Sequence, residues 1–311
     1  MPKVDHKTII AGLTVEQRKS LLTRSDAEGL KHFAIYLAAM AFCTFVIIQD
    51  VPFLPLLMLA QGILIVFLFT LLHETGHRTP FASEALNVWA GRFCGFLVFV
   101  GPEWFRYFHL AHHRYTHDPE KDPELASPKP QTAWQYLKYL SGLPETTERI
   151  RTLFRNAFLT NRDEYVPAKG KAKVMREARV QLLLYGALIV ASVAANSTLL
   201  IWTWVLPMLM GGPFLRGYLL AEHARCPHVA SMLENTRTTF TNALVRFLAW
   251  NMPYHVEHHA YPSVPFHKLP EFHEVVRDHI MHLQNGYGRF NHRYLKDGLS
   301  GQLATENQSN D

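Results

Sequence analysis

Residues 51–77 read VPFLPLLMLAQGILIVFLFTLLHETGH, an apolar run that leads directly into a pair of histidines. A helix needs about 20 apolar residues to cross the hydrocarbon core of a bilayer. The run from residue 51 to residue 72 is near that length and has no polar face, which favours a membrane span over a buried helix of a soluble protein. We therefore predict a transmembrane helix that ends at His73, with the histidine pair at the membrane boundary.

Other apolar runs lie on both sides of this stretch. Residues 32–49 form one such run, and the break at residues 50–52 predicts a tight turn that makes a transmembrane hairpin. Residues 180–195 and 199–220 predict a second hairpin, whose prolines and glycines indicate a kink or a close approach to an unspecified part of the molecule. Residues 85–100 are interrupted by Arg92, which favours an interfacial or half-buried helix.

The polar remainder of the chain carries most of the charge. Among the 311 residues, 31 lysines and arginines outnumber 26 acidic residues, which gives a net charge of +5. The basic residues flank the apolar runs, a pattern that favours a membrane surface over a nucleic-acid partner. The three cysteines have no paired spacing, so we expect core residues rather than disulfides or thiolate metal ligands.

The lysines and arginines also predict the orientation in the membrane. They lie in the amino-terminal arm, in residues 101–178 and in the tail, whereas the turns near Asp50 and Asn196 hold none. The positive-inside rule then places both termini and all histidine groups on the cytoplasmic side.

We predict three parts along the chain: a cytoplasmic arm at 1–31, a membrane domain at 32–280, and a tail at 281–311 whose end is disordered. Thr14 and Gln17 have the spacing of a capping box at the start of a short helix. The predicted fold class is an all-α integral membrane protein, with four transmembrane helices in two hairpins and a cytoplasmic helical cap.

The HETGH group matches the H-E-x-x-H pattern of zinc hydrolases, in which His73 and His77 would bind the metal and Glu74 would act as a general base. An intramembrane zinc protease is therefore one alternative, and a metal-binding membrane protein without activity is another. The protease leaves two further groups unexplained. Residues 109–117 read HLAHHRYTH and residues 255–259 read HVEHH. Both contain H-x-x-H-H, which places three imidazoles on one face of a helix.

Together the three groups offer more nitrogens than one tetrahedral zinc can use. They suit two metal ions of higher coordination number, for which iron, copper and manganese are all possible by ligand type. The eight histidines are His73, His77, His109, His112, His113, His255, His258 and His259.

The order HETGH, HLAHH, HVEHH, interleaved with two apolar hairpins, resembles the membrane fatty acid desaturase family over roughly residues 30–280. The resemblance implies that the eight histidines hold a diiron centre, which uses molecular oxygen and two electrons to attack an unactivated C–H bond. It also implies a further ligand after the fourth transmembrane helix, where His223 stands in the sequence AEHAR.

Carboxylates near the histidines are candidate partners of the ligands, because a ligating imidazole usually donates its second N–H to a carboxylate or carbonyl. The DPEKDP run after the second group resembles a run found in the family. A solvated or salt-bridged surface role is the alternative for each candidate. The candidates are Glu74, Asp118, Asp122 and Glu257, with His117 also behind the ligands. Asn251 as an N-cap and Pro253 as an early helical proline predict a helix that starts just before His255.

The resemblance implies oxygen-dependent desaturation of a fatty acyl chain or a similar lipid-like substrate, with two iron ions as cofactors. A hydroxylase or ketolase would share the same site. The electron donor is external, because the chain lacks an H-P-G-G haem signature and its three cysteines cannot hold a plant-type iron–sulfur cluster. Ferredoxin, rubredoxin or cytochrome b5 could fill this role. We expect a multi-pass protein of a bacterial inner membrane, with the endoplasmic reticulum as the alternative.

Overall fold

The computed structural model describes residues 5–49, 52–159 and 161–300, which are mostly helical. The α-helices are α1 (His6–Ala11), α2 (Val15–Leu21), α3 (Asp26–Ile48), α4 (Leu54–His77), α5 (Glu84–Leu97), α6 (Pro102–Tyr115), α7 (Ala133–Leu140), α8 (Leu143–Phe158), α9 (Ala168–Ala194), α10 (Leu206–His223), α11 (Ala243–Leu248), α12 (His255–Ala260), α13 (Leu269–Val276) and α14 (Tyr287–Leu299). Shorter helical turns are the 3-10 turns Pro123–Ala126, Phe266–Lys268 and Arg277–His279 and the π-helical turn Ile201–Val205.

Two sequence predictions fall at the limits of the described chain. Residues 50–51 of the predicted turn, and residues 301–311 at the predicted disordered end, lie outside the described residues. The capping box at the start of α2 is confirmed, because Thr14 Oγ1 accepts from the Gln17 N–H and Gln17 Oε1 accepts from the Thr14 N–H.

Three stretches among the described residues are long and apolar enough to cross a membrane: Val15–Ile48, Leu54–His77 and Ala168–Ala194. Large apolar side chains on the outer faces of α3 and α9 are exposed, including Phe42, at 64%, and Val193, at 75%. Exposed apolar faces of this kind are typical of lipid contact. These helices indicate a membrane protein.

The helix after α9 is the fourth membrane span predicted from the sequence. It starts with the π-helical turn and continues as α10, which packs along α4. The backbones meet at Gly62 and Gly211, where a Cβ atom on Gly62 would lie 1.9 Å from the carbonyl oxygen of Pro207. The predicted close approach is therefore confirmed, and it requires glycine.

Helices α5 and α6 form a bent pair, with an angle of 100° between them. Pro102 begins α6, and the Glu103 N–H donates to Glu177 Oε2 of α9 at 2.7 Å. A carboxylate at a helix start satisfies an otherwise unpaired N–H and favours the positive end of the helix dipole. This contact fixes the start of α6, the helix that carries the HLAHH sequence.

The predicted all-α class requires one addition, a parallel pair of short strands, β1 (Thr238–Phe240) and β2 (Leu283–Asn285). Thr238 on β1 accepts from the Val256 N–H and donates to Glu257 Oε2, so the strand pair supports α12. The predicted N-cap of this helix was wrong. Tyr254 occupies that position, while Asn251 adopts a φ of 58° and donates its side-chain N–H to the Phe266 carbonyl.

The three cysteines Cys43, Cys94 and Cys226 are free and buried. Their predicted role as core residues is confirmed, and it excludes a disulfide framework.

Candidate metal centre

The nine predicted ligand histidines come together at one end of the membrane helices. The first group comes from α4, α6 and α12, and its ligand atoms all lie within 4.8 Å of one another: His73, His77, His109, His113 and His258. A second group meets the same distance condition and comes from α6, α10 and α12: His112, His223 and His259. His255 joins the second group through His223, with 3.1 Å between their Nε2 atoms.

Helix α4 extends four residues beyond the predicted end at His73, so His73 and His77 lie one turn apart on the same helix. In the first group the Nε2 atom of His109 lies 2.7 Å from that of His77 and 3.0 Å from that of His113. The Nε2 atoms of His113 and His258 are 3.1 Å apart. Histidine ring nitrogens from α4, α6 and α12 therefore lie close together.

The two groups adjoin each other. The rings of His113 and His259 stack with centroids 4.1 Å apart, and these residues belong to the first and second group, respectively. In the second group the Nε2 atoms of His112 and His223 are 3.3 Å apart. Two metal ions held by these groups would be close neighbours.

Carboxylates lie behind several of the imidazoles. Asp122 Oδ1 lies 2.9 Å from His112 Nδ1, where it accepts the ring N–H. The buried Glu74 places Oε1 3.4 Å from His258 Nδ1, and Glu222 places Oε1 3.4 Å from His255 Nδ1. A carboxylate at Nδ1 fixes the tautomer that leaves Nε2 free to bind a metal.

The other predicted outer partners lie elsewhere. His117 directs Nδ1 to the Pro227 carbonyl at 3.0 Å, and Asp118 accepts from the backbone N–H groups of Glu120 and Lys121. Glu257 is fully buried and pairs with His273 and Thr238 rather than with a ligand histidine. It lies on the far side of α12 from the ring nitrogens.

Burial favours the neutral, metal-binding form of these histidines. On α12, desolvation lowers the pKa of His255 to about 3 and holds the pKa of His258 and His259 well below the ordinary value. His259 also directs Nδ1 toward Thr116 Oγ1, and its buried Nε2 has no hydrogen-bond partner within the described chain. Converging neutral imidazoles with an unpaired buried nitrogen fit transition-metal ions.

A cavity of about 1140 Å³ opens onto this centre. His73, His109, His112 and His255 line its floor, so the cavity reaches residues of both groups. The lining contains the aromatic residues Phe69, Phe99, Trp104, Phe105 and Phe108 and the charged residues Lys129, Glu145, Arg149 and Arg216. The two sets adjoin where the Arg149 guanidinium lies 4.9 Å from the centre of the Phe69 ring.

Sequence reasoning missed two carboxylates at the centre. Glu222 faces His255, and its only sequence signal is that it directly precedes His223. Glu124 places Oε2 3.4 Å from His112 Nε2 and Oε1 2.6 Å from Lys129 Nζ. Glu124 directly follows the DPEKDP run, whose spacing alone did not show that its side chain turns toward the histidines.

Curated proteins similar to this chain are desaturases. The chain is 26% identical to a dihydrorhizobitoxine desaturase of Bradyrhizobium elkanii over 272 residues, which cover 81% of this chain and 76% of that protein. It is 21% identical to a sphingolipid delta(4)-desaturase DES1-like protein of Oryza sativa subsp. japonica over 248 residues, which cover 76% and 69%.

The sequence model of the fatty acid desaturase family matches residues 51–291. This range contains His223 and the three histidine boxes, which are the sequences HETGH, HLAHH and HVEHH. Similarity to named desaturases, together with this match, supports an oxidoreductase of the desaturase type. The chain belongs to the fatty acid desaturase family.

Proposed function

We propose that this protein removes two hydrogens from neighbouring carbons of a lipid-like substrate in an oxygen-dependent reaction. The observation that carries the proposal is the meeting in two adjoining groups of nine histidines, four of which line one cavity. Family membership supports the desaturase type of reaction. The proposed cofactors are two iron ions, with molecular oxygen as co-substrate.

The donor set fits iron better than one structural or catalytic zinc. Zinc sites in proteins are almost always four-coordinate, whereas the first group alone offers five imidazoles. Iron bound by the two groups would supply the oxygen chemistry needed to attack an unactivated C–H bond. The remaining steps belong to the chain: binding the substrate, orienting it and excluding water.

The environment of Glu74 argues against an HExxH protease. A general base must reach the water that it activates, but Glu74 is fully buried, and its carboxylate faces the Nδ1 atoms of His258 and His73 at 3.4 and 3.9 Å. Thr79 Oγ1 donates to its other oxygen. Glu74 therefore supports ligands of the first group.

The cavity walls suggest how a substrate is held. The ring of Phe105 stacks on His109 with centroids 5.5 Å apart, which places an aromatic surface directly beside the first group. In the same lining, Glu145 pairs with both Arg149 and Arg216. We infer an amphiphilic substrate whose chain packs on the aromatic residues and whose polar end meets the charged ones.

The two relatives named above act, by their names, on dihydrorhizobitoxine and on sphingolipids. These names describe different substrates, so we propose for this chain no more than the desaturation of a lipid-like substrate. A hydroxylase or ketolase uses the same centre and differs in whether a second hydrogen is lost or an oxygen is inserted. Electrons come from an external donor of the ferredoxin, rubredoxin or cytochrome b5 class.

We also propose a multi-pass topology with four membrane helices and both termini in the cytoplasm. The location of the lysines and arginines supports it, because they flank the membrane helices on the side of the histidines. A bacterial inner membrane is the proposed location.

Comparison of lipid and metabolite extracts with and without expression of the protein tests the proposed activity. Under oxygen, the wild-type protein should yield a product that lacks two hydrogens relative to its precursor, and expression of His258→Ala should not. His292→Ala, an exposed residue of α14, should match the wild type. A product that gains one oxygen instead would favour the hydroxylase, and hydrolysed peptides would favour the protease.

A further inference from the structure

The second histidine group contains fewer donors than the first. Five imidazoles surround the first position, whereas three surround the second, with His255 beside them. Glu124, in the 3-10 turn Pro123–Ala126, lies beside His112 of this second group and lines the cavity. Its Oε2 atom is 3.4 Å from His112 Nε2, the nitrogen that also faces His223.

The contact between Glu124 Oε2 and His112 Nε2 is favourable only if a proton or a metal ion lies between these two atoms. His112 uses its Nδ1–H to donate to Asp122, so the neutral ring presents a lone pair at Nε2. A carboxylate oxygen beside that lone pair repels it unless a proton or a metal ion lies between them. Metal–ligand bonds of roughly 2.1 Å place neighbouring ligand atoms on the order of 3 Å apart, which agrees with this contact.

We propose that Glu124 is a carboxylate ligand of the second metal and binds it through Oε2. The proposal rests on the proposed function, since it assumes that the two groups hold metal ions. The second site then has an N/O donor set, and the first an all-nitrogen set. The difference makes the two metals chemically unequal.

The surroundings of Glu124 fix the direction of its carboxylate. Lys129 Nζ lies 2.6 Å from Oε1, which leaves Oε2 for the histidines and favours binding through one oxygen. Asp122 Oδ1 accepts from the Glu124 backbone N–H at 3.0 Å. The carboxylate that orients His112 therefore also positions the residue proposed to share its metal.

The competing explanation is an ion pair. If His112 carries a proton on both nitrogens, Asp122 and Glu124 flank an imidazolium and no metal ligand is needed. Metal content separates the two explanations, because an ion pair with Glu124 does not hold a second metal.

The test uses the full-length protein purified in detergent after growth with iron, with Glu124→Gln as the main variant. Glutamine keeps the size of the side chain and removes its charge. Glu120→Gln is the matched control, because Glu120 is exposed and lies four residues earlier in the same segment. The measurements are the iron content per chain and the half-time of iron release to a chelator. Iron retained at the first group shows that the variant is folded.

The proposal predicts that Glu124→Gln keeps about one iron, or releases its second iron at least about 10-fold faster than the wild type, by analogy with changes around other metal sites. Glu120→Gln should retain both irons at the wild-type rate. If Glu124→Gln binds two irons and releases them at the wild-type rate, Glu124 is not a ligand. A wild-type protein without two irons would instead refute the proposed function, so the two failures are distinguishable.

Glu124→His is a second variant in case the glutamine protein does not fold. An imidazole can replace a carboxylate as a ligand but cannot pair with an imidazolium or with Lys129. Two retained irons in a folded Glu124→His protein support ligation, and one iron contradicts it.

Discussion

A neutral imidazole binds a metal through the nitrogen that lacks a proton, so the partner of its other nitrogen decides which atom binds. At His112 that partner is Asp122, which accepts the Nδ1–H at 2.9 Å. Asp122 also accepts from the backbone N–H groups of His117 and Glu124. One carboxylate thus sets the tautomer of a ligand and the path of the chain that follows it.

Asp122→Asn should weaken metal binding at the second group by roughly 10- to 100-fold, the range known for residues behind metal ligands. The amide nitrogen of asparagine would face an N–H donor at whichever oxygen position it occupies. Asp118→Asn is the control, since the Asp118 carboxylate contacts backbone N–H groups of its own turn and Lys121 Nζ but no histidine of the second group. Chelator competition measures the change, and equal metal affinity of both variants would contradict the role of Asp122.

The sequence predicted eight of the nine histidines because their spacing is local and chemically distinctive, whereas His223 was predicted from the resemblance. The partners Glu222 and Glu124 were not predicted. Glu222 contacts His255, which comes much later in the chain, and the direction of the Glu124 side chain depends on the fold of its turn. Asp122 was predicted from the resemblance alone, while Asp118, an equal candidate in the sequence, caps a turn instead. Residue type and spacing therefore identify ligands more readily than they identify the groups behind them.

At the scale of elements, the site depends on how closely α4 and α10 approach. These helices carry His73 and His77 on one side and His223 on the other. Their contact at Gly62 and Gly211 leaves no room for a Cβ atom on either residue. A change in the spacing of these two helices would therefore move His223 relative to His73 and His77.

Gly62→Ala should destabilise the protein by about 1–3 kcal/mol, the usual cost of overpacking a tight contact, and should loosen metal binding. Gly186→Ala on α9 is the control, because a Cβ atom there meets nothing within 4 Å. Thermal unfolding in detergent measures both. A Gly62→Ala protein as stable as Gly186→Ala would show that the close approach is not required.

Helix α12 predicts a pH dependence of the metal-free protein. Burial lowers the pKa of His255 to about 3, while a histidine in the unfolded chain titrates near 6.5. Between these values the unfolded chain binds more protons, so the free energy of unfolding falls as the pH falls. We expect the melting temperature of metal-free protein to drop between about pH 7 and pH 5. A constant or rising melting temperature over this range would contradict the burial of neutral histidines.

Helix ends proved harder to predict than helices. The apolar runs identified α3 and α4, but α3 begins at Asp26, capped by Ser25, and α4 continues through His77. Polar residues can extend a helix past the bilayer, because its hydrogen bonds do not depend on apolar side chains. The strands β1 and β2 gave no sequence signal, since three residues are too few for a period of two to show.

At the scale of the whole molecule, one cavity connects the apolar helices with the candidate metal centre. Histidines of both groups lie in its lining, together with aromatic and charged residues. The lining combines residues of α6 and α8 with residues of α4 and α10, which are distant from them in sequence. For that reason composition predicted a membrane protein, but the substrate space became visible only in three dimensions.

The metal content of the purified full-length protein tests the proposed centre most directly. Elemental analysis after expression in medium containing iron and zinc should give about two irons per chain. In His258→Ala the iron content should fall, while in His292→Ala it should not change. One zinc per chain without iron, or full iron content in His258→Ala, would contradict a centre shared by the three histidine boxes.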